Sequence, residues 1–272
     1  MSHAADLIAD SLVAPINFAS PRMREVETFV VSNFEPEKTT LVVEEQAVPI
    51  RDARLLAPAA SYQREGFELH HVPVENPRWT DDAWIQSSYL PVLRDLALRI
   101  TGGAEAVTFP GSWVIRDTAG NGAAPAAAFA HMDRERESCR EIIRNNVDEA
   151  IRTRYPRFEM INFWRALSPP PHDVPLAICD QRTIAPGDWL VGETREPNMR
   201  FQVKHMAAVY NPDNRWYYYS SLSPDELIAF KNHDDDPARL PGCLHGAFRD
   251  PTVHGGVPRV SLETRFYVFH ES

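Results

Sequence analysis

Cysteine is scarce in this sequence and badly spaced for pairing. Three occur, Cys139, Cys179 and Cys243, with no CxxC among them. An odd, scattered set argues against a disulfide framework and against a thiolate zinc site, and it suits a reducing, cytosolic compartment. Long apolar runs are also missing. Nothing approaches the roughly 20 residues of a membrane span. The N-terminal MSHAADLIADSLVAPINF has no basic start and no long apolar centre, so no signal peptide is expected. Positive charge is in deficit: 28 Lys and Arg stand against 38 Asp and Glu, a net charge of −10. That speaks against an extended nucleic-acid groove and still allows a local basic pocket for a small anion. No internal repeat, low-complexity tract or linker after residue 106 is visible.

What is present reads as one domain of 272 residues, with 43% hydrophobic and 24% charged side chains, ordinary for a globular protein. Its 23 prolines suggest strand ends and stiff turns rather than a helical bundle. β-Branched and alternating stretches predict strands at 26–34, 40–54, 67–74 and 106–117, and then at 158–167, 175–184, 188–196, 200–210, 215–222, 242–248 and 258–270. Helical spacing predicts helices over 81–103 and 137–155, with Pro91 kinking the first or starting its second half. A third helix is expected over 223–233, where Ser223, Pro224 and Glu226 spell a capping box. Short strands with a turn signal every ten or so residues argue for a sandwich or barrel, with the helices on one face. Residues 1–105 would pack on a core formed by 106–272.

The chemistry gathers around AAFAHMDRERES, residues 127–138. On a strand His131 and Asp133 point to one side, because side chains alternate with period two. An imidazole and a carboxylate on one side are good ligands for a first-row divalent metal, and one more His at an open site completes the facial triad of non-haem Fe(II) oxygenases. Two residues specify little. The C-terminal segment adds His245 in GCLHGAF, then Arg259 and Ser261 on one face of PRVSLETRF. Read as a hairpin, it sets a metal ligand beside a guanidinium and hydroxyl suited to clamping a carboxylate. A metal that binds an oxo-acid co-substrate requires that combination.

HxD, a distal His and Arg-x-Ser resemble the Fe(II)/2-oxoglutarate oxygenases with a double-stranded β-helix (jelly-roll, cupin-like) fold. The finer resemblance is to the natural-product hydroxylase/desaturase family of the gibberellin desaturase and aspergillic-acid hydroxylase type. It is carried by RYPRFEMINFWRAL, PLAICDQRTI, RWYYYSSLSPDELIAFKNHDDD, LHGAFRDP and PRVSLETRFYVF, in that order, over about residues 106–270. The resemblance implies that His131, Asp133 and His245 hold Fe(II) and that Arg259 and Ser261 bind the distal carboxylate of 2-oxoglutarate. Asn162, Trp164 and Arg165 would line the co-substrate or substrate pocket, and O2 would be the second co-substrate. The implied reaction is hydroxylation, desaturation or oxidative ring closure at a C–H bond of a small molecule, with no nucleic-acid or membrane partner. The sequence departs from the family in NFWRAL, which lacks a Pro after the Arg, and in CLHGAF, which lacks one before the His.

Simpler readings stand beside these. An Fe(II) oxidase without 2-oxoglutarate would use the Arg-x-Ser clamp for its substrate's own carboxylate. A zinc hydrolase or a non-redox binding barrel would use the same triad. His254, in a turn, and His205, on a strand, compete with His245 as third ligand, and His172 reads as a loop residue. Arg265 shares a face with Arg259 and Ser261, where a salt bridge with Glu263 or another acid is expected. HDDDP, 233–237, reads as a solvated turn, and RWYYYSS as core on one face. The alanines before His131 read as a small-residue approach to the metal, on a substrate-facing loop.

Overall fold

Two β-sheets face one another in the computed structural model, which describes residues 11–32, 35–121, 125–196 and 203–271. The strands are β1 Ser11–Ala19, β2 Val30–Val31, β3 Val43–Asp52, β4 Phe67–His71, β5 Glu105–Val107, β6 Trp113–Asp117, β7 His131–Met132 and β8 Arg157–Ala166. They continue with β9 Leu176–Cys179, β10 Trp189–Thr194, β11 Val203–Ala208, β12 Trp216–Tyr218, β13 Glu226–Asp234, β14 His245–Ala247 and β15 Val260–His270. One sheet has nine strands in the order β1-β3-β12-β9-β14-β7-β11-β10-β2. The other has six, β4-β13-β8-β15-β5, with β6 also on β15. The first third of the chain is woven into both sheets, since β3 pairs with β12 and β4 with β13.

Alternation sets the layers. Phe67, Trp164 and Phe230 of the six-stranded sheet meet Leu176, Ile178 and Tyr217 of the nine-stranded one between the sheets. On the outer side of the nine-stranded sheet, Met132, Met206 and Trp216 pack with Ile16, Phe18 and Ile50 of the β1–β3 hairpin. The outer side of the six-stranded sheet, with Phe163, Phe266 and Val268, is covered by Leu93, Leu96 and Ala97 of α2 Leu90–Thr101. The short helix α1 Asp82–Trp84 leads into α2 through a π-turn, and Pro91 sits directly after that turn, at the second position of α2. The expected helix over 137–155 is two, α3 Arg136–Asn146 and α4 Glu149–Arg154, with Asp148 capping the second. Cys139, Ile142 and Ile143 of α3 pack with Phe158, Met160 and Tyr267, on the face of β8 and β15 opposite to α2. The helices therefore do not share one face as expected. Among the described residues no helix is long and apolar enough to cross a membrane.

Three sequence expectations are corrected. The stretch 223–233 is not a helix. Ser223 and Glu226 do exchange hydrogen bonds, but they close a turn into β13. That strand is central, between β4 and β8, and buries Leu227 and Ala229 on one face and Ile228 and Phe230 on the other. Burial on both faces overrides the local capping signal. The strand expected over 26–34 shrinks to β2, which among the described residues pairs with Glu193 and Thr194 of β10; Asn33 and Phe34 lie outside the described residues, as do 200–202 of the strand expected over 200–210. Finally, β1 is a nine-residue strand in a segment scanned only for a leader, although Ala14, Ile16 and Phe18 alternate inward.

Candidate metal centre

β7 and β14 bring the first two histidines together. His245 lies directly opposite His131 in the register of the pair, with ring centroids 4.5 Å apart. Gly246 permits this closeness, because a Cβ there would sit 3.1 Å from Cα of Ala130. The alanine-rich approach to His131 thus serves strand packing at Ala130, while Ala127 reaches a cavity wall. One residue beyond β7, Asp133 returns to the same face. Its Oδ1 lies 3.2 Å from His131 Nε2 and 3.6 Å from His245 Nε2. Ligand atoms of the three residues fall within 4.8 Å of one another, a spacing one cation can bridge.

The surroundings fix which atoms face inward. His131 Nδ1 contacts the Phe129 carbonyl at 2.9 Å and His245 Nδ1 the Cys243 carbonyl at 3.3 Å. A carbonyl can only accept, so each Nδ1 carries the proton and each Nε2 keeps its lone pair for a metal. Asp133 Oδ2 accepts from Arg265 Nε at 2.7 Å and from Asn162 Nδ2 at 3.0 Å, which leaves Oδ1 to the histidines. The Asp133 N–H donates to Asn232 Oδ1. Burial alone would raise the Asp133 pKa, but the Arg265 charge outweighs it and holds the carboxyl well below its usual range. Burial, then the neighbouring His245, push His131 down against the opposing pull of Asp133. The donor set is therefore an ionised carboxylate and two imidazoles that turn Nε2 toward it, the kind of set that a divalent cation takes.

Arg259 and Ser261 stand at the start of β15. They do not share a hairpin with His245, as the sequence suggested. β14 belongs to the nine-stranded sheet and β15 to the six-stranded one, so the groups approach across the sandwich. His131, His245, Trp164 and Arg259 line one narrow cleft of 20 Å³. Arg259 is 2% exposed, lies over the Trp164 ring at 5.2 Å, and has no carboxylate in ion-pair contact among the described residues. Its Nε and the Ser261 Oγ are buried without hydrogen-bond partners. Burial, and Arg116 nearby, push the guanidinium down to about 10. A buried cation and hydroxyl lacking partners fit an anionic ligand group, as a diacid held at the metal would supply.

The other expected residues divide by parity. Asn162 and Trp164 face inward, Asn162 onto Asp133 and Glu263 and Trp164 onto Arg259. Arg165 is a correction, for the adjacent residue must face the other way. It bonds Tyr89 Oη and the carbonyls of Val72 and Pro224 on the α2 side of the sheet. Arg265 forms the expected ion pair with Glu263, but its second partner is the candidate ligand Asp133. That positioning role was missed, although Arg259, Ser261, Glu263 and Arg265 alternate on one face. His254 is exposed in its turn and His172 is buried against the Ser168 carbonyl, both away from the cluster. His205 is not among the clustered ligands, yet it lines a 280 Å³ cavity beside His131 and Asp133. HDDDP is not simply solvated: Asp234 is fully buried between Arg157 and Lys231. RWYYYSS is core on both faces, with Trp216 outside the nine-stranded sheet and Tyr217 between the sheets.

Comparison with known proteins agrees with this geometry. A family described as YDMC: Oxidoreductase/YMDC permease-like domain matches residues 16–269. The Fe(II)/2-oxoglutarate-dependent dioxygenase nvfI of Aspergillus novofumigatus is 30% identical over 204 residues, 72% of this chain and 71% of that protein. The hydroxylase/desaturase efuI of Hormonema carpetanum is 27% identical over 259 residues, 83% of this chain and 84% of its own length. The aspirochlorine biosynthesis protein N of Aspergillus oryzae is 30% identical over 138 residues, 49% of this chain and 57% of that one. A solved structure of the iron and alpha-ketoglutarate-dependent endoperoxidase NvfI superposes with a TM-score of 0.84 at 24% identity, covering 96% of this chain and 98% of that one, and shares its jelly-roll fold. Matched along nearly its whole length, the chain belongs to the family of Fe(II)/2-oxoglutarate-dependent dioxygenases and hydroxylase/desaturases.

Proposed function

We propose that this oxygenase oxidises an unactivated C–H bond of a natural-product-like small molecule, by hydroxylation, desaturation or ring closure, with His131, Asp133 and His245 as the Fe(II) ligands. Arg259 and Ser261 take the distal carboxylate of 2-oxoglutarate. The observation that carries this reading is the pairing of a three-ligand face with a buried guanidinium Nε and hydroxyl that have no hydrogen-bond partner among the described residues. When bound, Fe(II) with 2-oxoglutarate and O2 supplies the oxidant for C–H cleavage, with succinate and CO2 as co-products. The chain's own part is positional. Phe129 and Cys243 carbonyls hold the imidazoles in the ligating tautomer, and Asn162 and Arg265 hold Asp133 by its far oxygen. Trp164 supports the Arg259 guanidinium from below. The cleft between Arg259 and the histidines is where the 2-oxoglutarate would lie. The 280 Å³ cavity beside the ligands takes the substrate.

The relative named for aspirochlorine biosynthesis supports a secondary-metabolite substrate. Three free, buried cysteines support a reducing compartment such as the cytosol. The test is stoichiometric. Enzyme loaded with Fe(II) and given 2-oxoglutarate, O2 and a panel of terpenoid acids, small peptides and amino acids should release succinate in step with product. Product formed without succinate would contradict the reading and leave the clamp to the substrate.

A further inference from the structure

The substrate cavity contains two polar groups that neither metal nor co-substrate uses. His205, on β11, stands two residues from Ala207, the partner of His131 in the sheet, so it emerges on the ligand face. It is 4% exposed. Its Nδ1 lies 3.0 Å from Thr194 Oγ1, and its Nε2 is buried without a partner among the described residues. Arg134, the residue after Asp133, lines the same cavity. Its Nη1 donates to the Asp133 carbonyl at 2.7 Å, its Nε is buried without a partner, and no carboxylate pairs with it among the described residues. Arg134 and Arg265 also wall an adjoining lobe of 240 Å³.

A buried polar nitrogen facing only hydrocarbon keeps its full desolvation cost. Two such groups on one wall therefore disfavour a purely apolar occupant and favour one that brings oxygen. Of the arginines that line the cavity, Arg116 pairs with Glu263 and Arg265 with Asp133 and Glu263, which leaves Arg134 as the cation without a carboxylate partner among the described residues. Burial, reinforced by His131 and Arg134, pushes His205 down to about 3, so its ring is neutral. Thr194 Oγ1 has no other partner among the described residues and is able both to donate to Nδ1 and to accept from it; when it donates, the proton lies on Nε2. Both free nitrogens are then donors.

We propose that His205 and Arg134 form a recognition site for a carbonyl-type oxygen of the substrate, a ketone, ester or carboxylate, which orients the bond to be oxidised toward the ligand face. This rests on the oxygenase reading above. The test uses fluorine NMR on the anaerobic Fe(II)·2-oxoglutarate protein with three probes: trifluoromethyl-cyclohexanone, trifluoromethyl-cyclohexanecarboxylate and trifluoromethyl-cyclohexane. Paramagnetic iron broadens the fluorine line of whatever binds beside it. The ketone, the carboxylate or both should broaden, and the oxygen-free probe should not; which of the two responds identifies the group. His205→Phe and Arg134→Met should each weaken binding at least about tenfold, and His205→Gln, which keeps a donor, should restore it. The proposal is overturned if all three probes bind alike, if none binds, or if His205→Phe binds as the wild type does. The metal-to-ligand band of the Fe(II)·2-oxoglutarate complex is recorded on every sample. Its absence from the wild type overturns the oxygenase reading, and this proposal with it, whereas a normal band with indifferent probes overturns this proposal alone.

Discussion

Replacing Arg259 by Leu should make the ligand-free protein more stable while destroying its response to 2-oxoglutarate. Arg259 is a buried guanidinium with no acid in ion-pair contact among the described residues, held near a pKa of 10. The drop from an arginine's ordinary value corresponds to about 3 kcal/mol against the charged form. Removing the charge relieves that cost. It also removes the contact with the Trp164 ring, at 5.2 Å, worth about 0.5–2 kcal/mol. The balance favours the variant by about 1–2 kcal/mol, or roughly 3–6 °C in Tm for a domain of this size. Binding moves the other way. Charge-assisted hydrogen bonds to a carboxylate contribute about 1.5–3 kcal/mol each, so losing two of them weakens 2-oxoglutarate at least about a hundredfold. The assay is thermal unfolding of the anaerobic Fe(II) protein with and without 2-oxoglutarate, paired with calorimetric titration. A variant that binds 2-oxoglutarate within about threefold of wild type refutes the clamp. One that melts several degrees lower without ligand refutes the argument that Arg259 is an uncompensated buried charge.

Asn162→Leu removes one of the two donors on Asp133 Oδ2, and Fe(II) affinity measured by competition with a chelator should fall about 10–100-fold. Arg165→Leu strands the carbonyls of Val72 and Pro224; it should lower stability by about 2–4 kcal/mol in denaturant titration and leave the 2-oxoglutarate Kd unchanged. His233 is buried, and burial, with Arg136 contributing, pushes it from an ordinary 6.5 down to about 4. The unfolded chain therefore binds the proton more readily, so stability is unaffected above pH 6.5 and is lost as pH falls from there toward 4. His233→Gln should flatten that acid limb by about 2–3 kcal/mol near the lower end, read from unfolding at a series of pH values.

That His131 and Asp133, and likewise Arg259 and Ser261, share a strand face was legible because the signal is local: HMD and RVS each place two side chains on one side, whatever the strand pairs with. The same rule, applied strictly, separates NFWR, since Trp164 and Arg165 are adjacent and cannot both face the metal. How His245 reaches Arg259 was not legible. Sequence distance suggested a hairpin, yet the intervening turn carries the chain from one sheet to the other, a choice fixed by partners far away in β7 and β8. β13 was hidden for a similar reason, because only its burial between β4 and β8 reveals that the capping box closes a turn. The long alternation of β15 did announce Glu263 and Arg265 on the same face as Arg259 and Ser261. What it could not give was the second partner of Arg265, which arrives from β7 across the sandwich.

The central claim is that His131, Asp133 and His245 hold Fe(II) beside a 2-oxoglutarate clamp. Anaerobic titration of the protein with Fe(II) and then 2-oxoglutarate tests it most directly. A weak visible charge-transfer band should appear on adding 2-oxoglutarate, should vanish in His131→Ala, and should survive in His254→Ala, whose side chain is exposed in a turn. No band and no iron affinity in the wild type, or a normal band in His131→Ala, would contradict it.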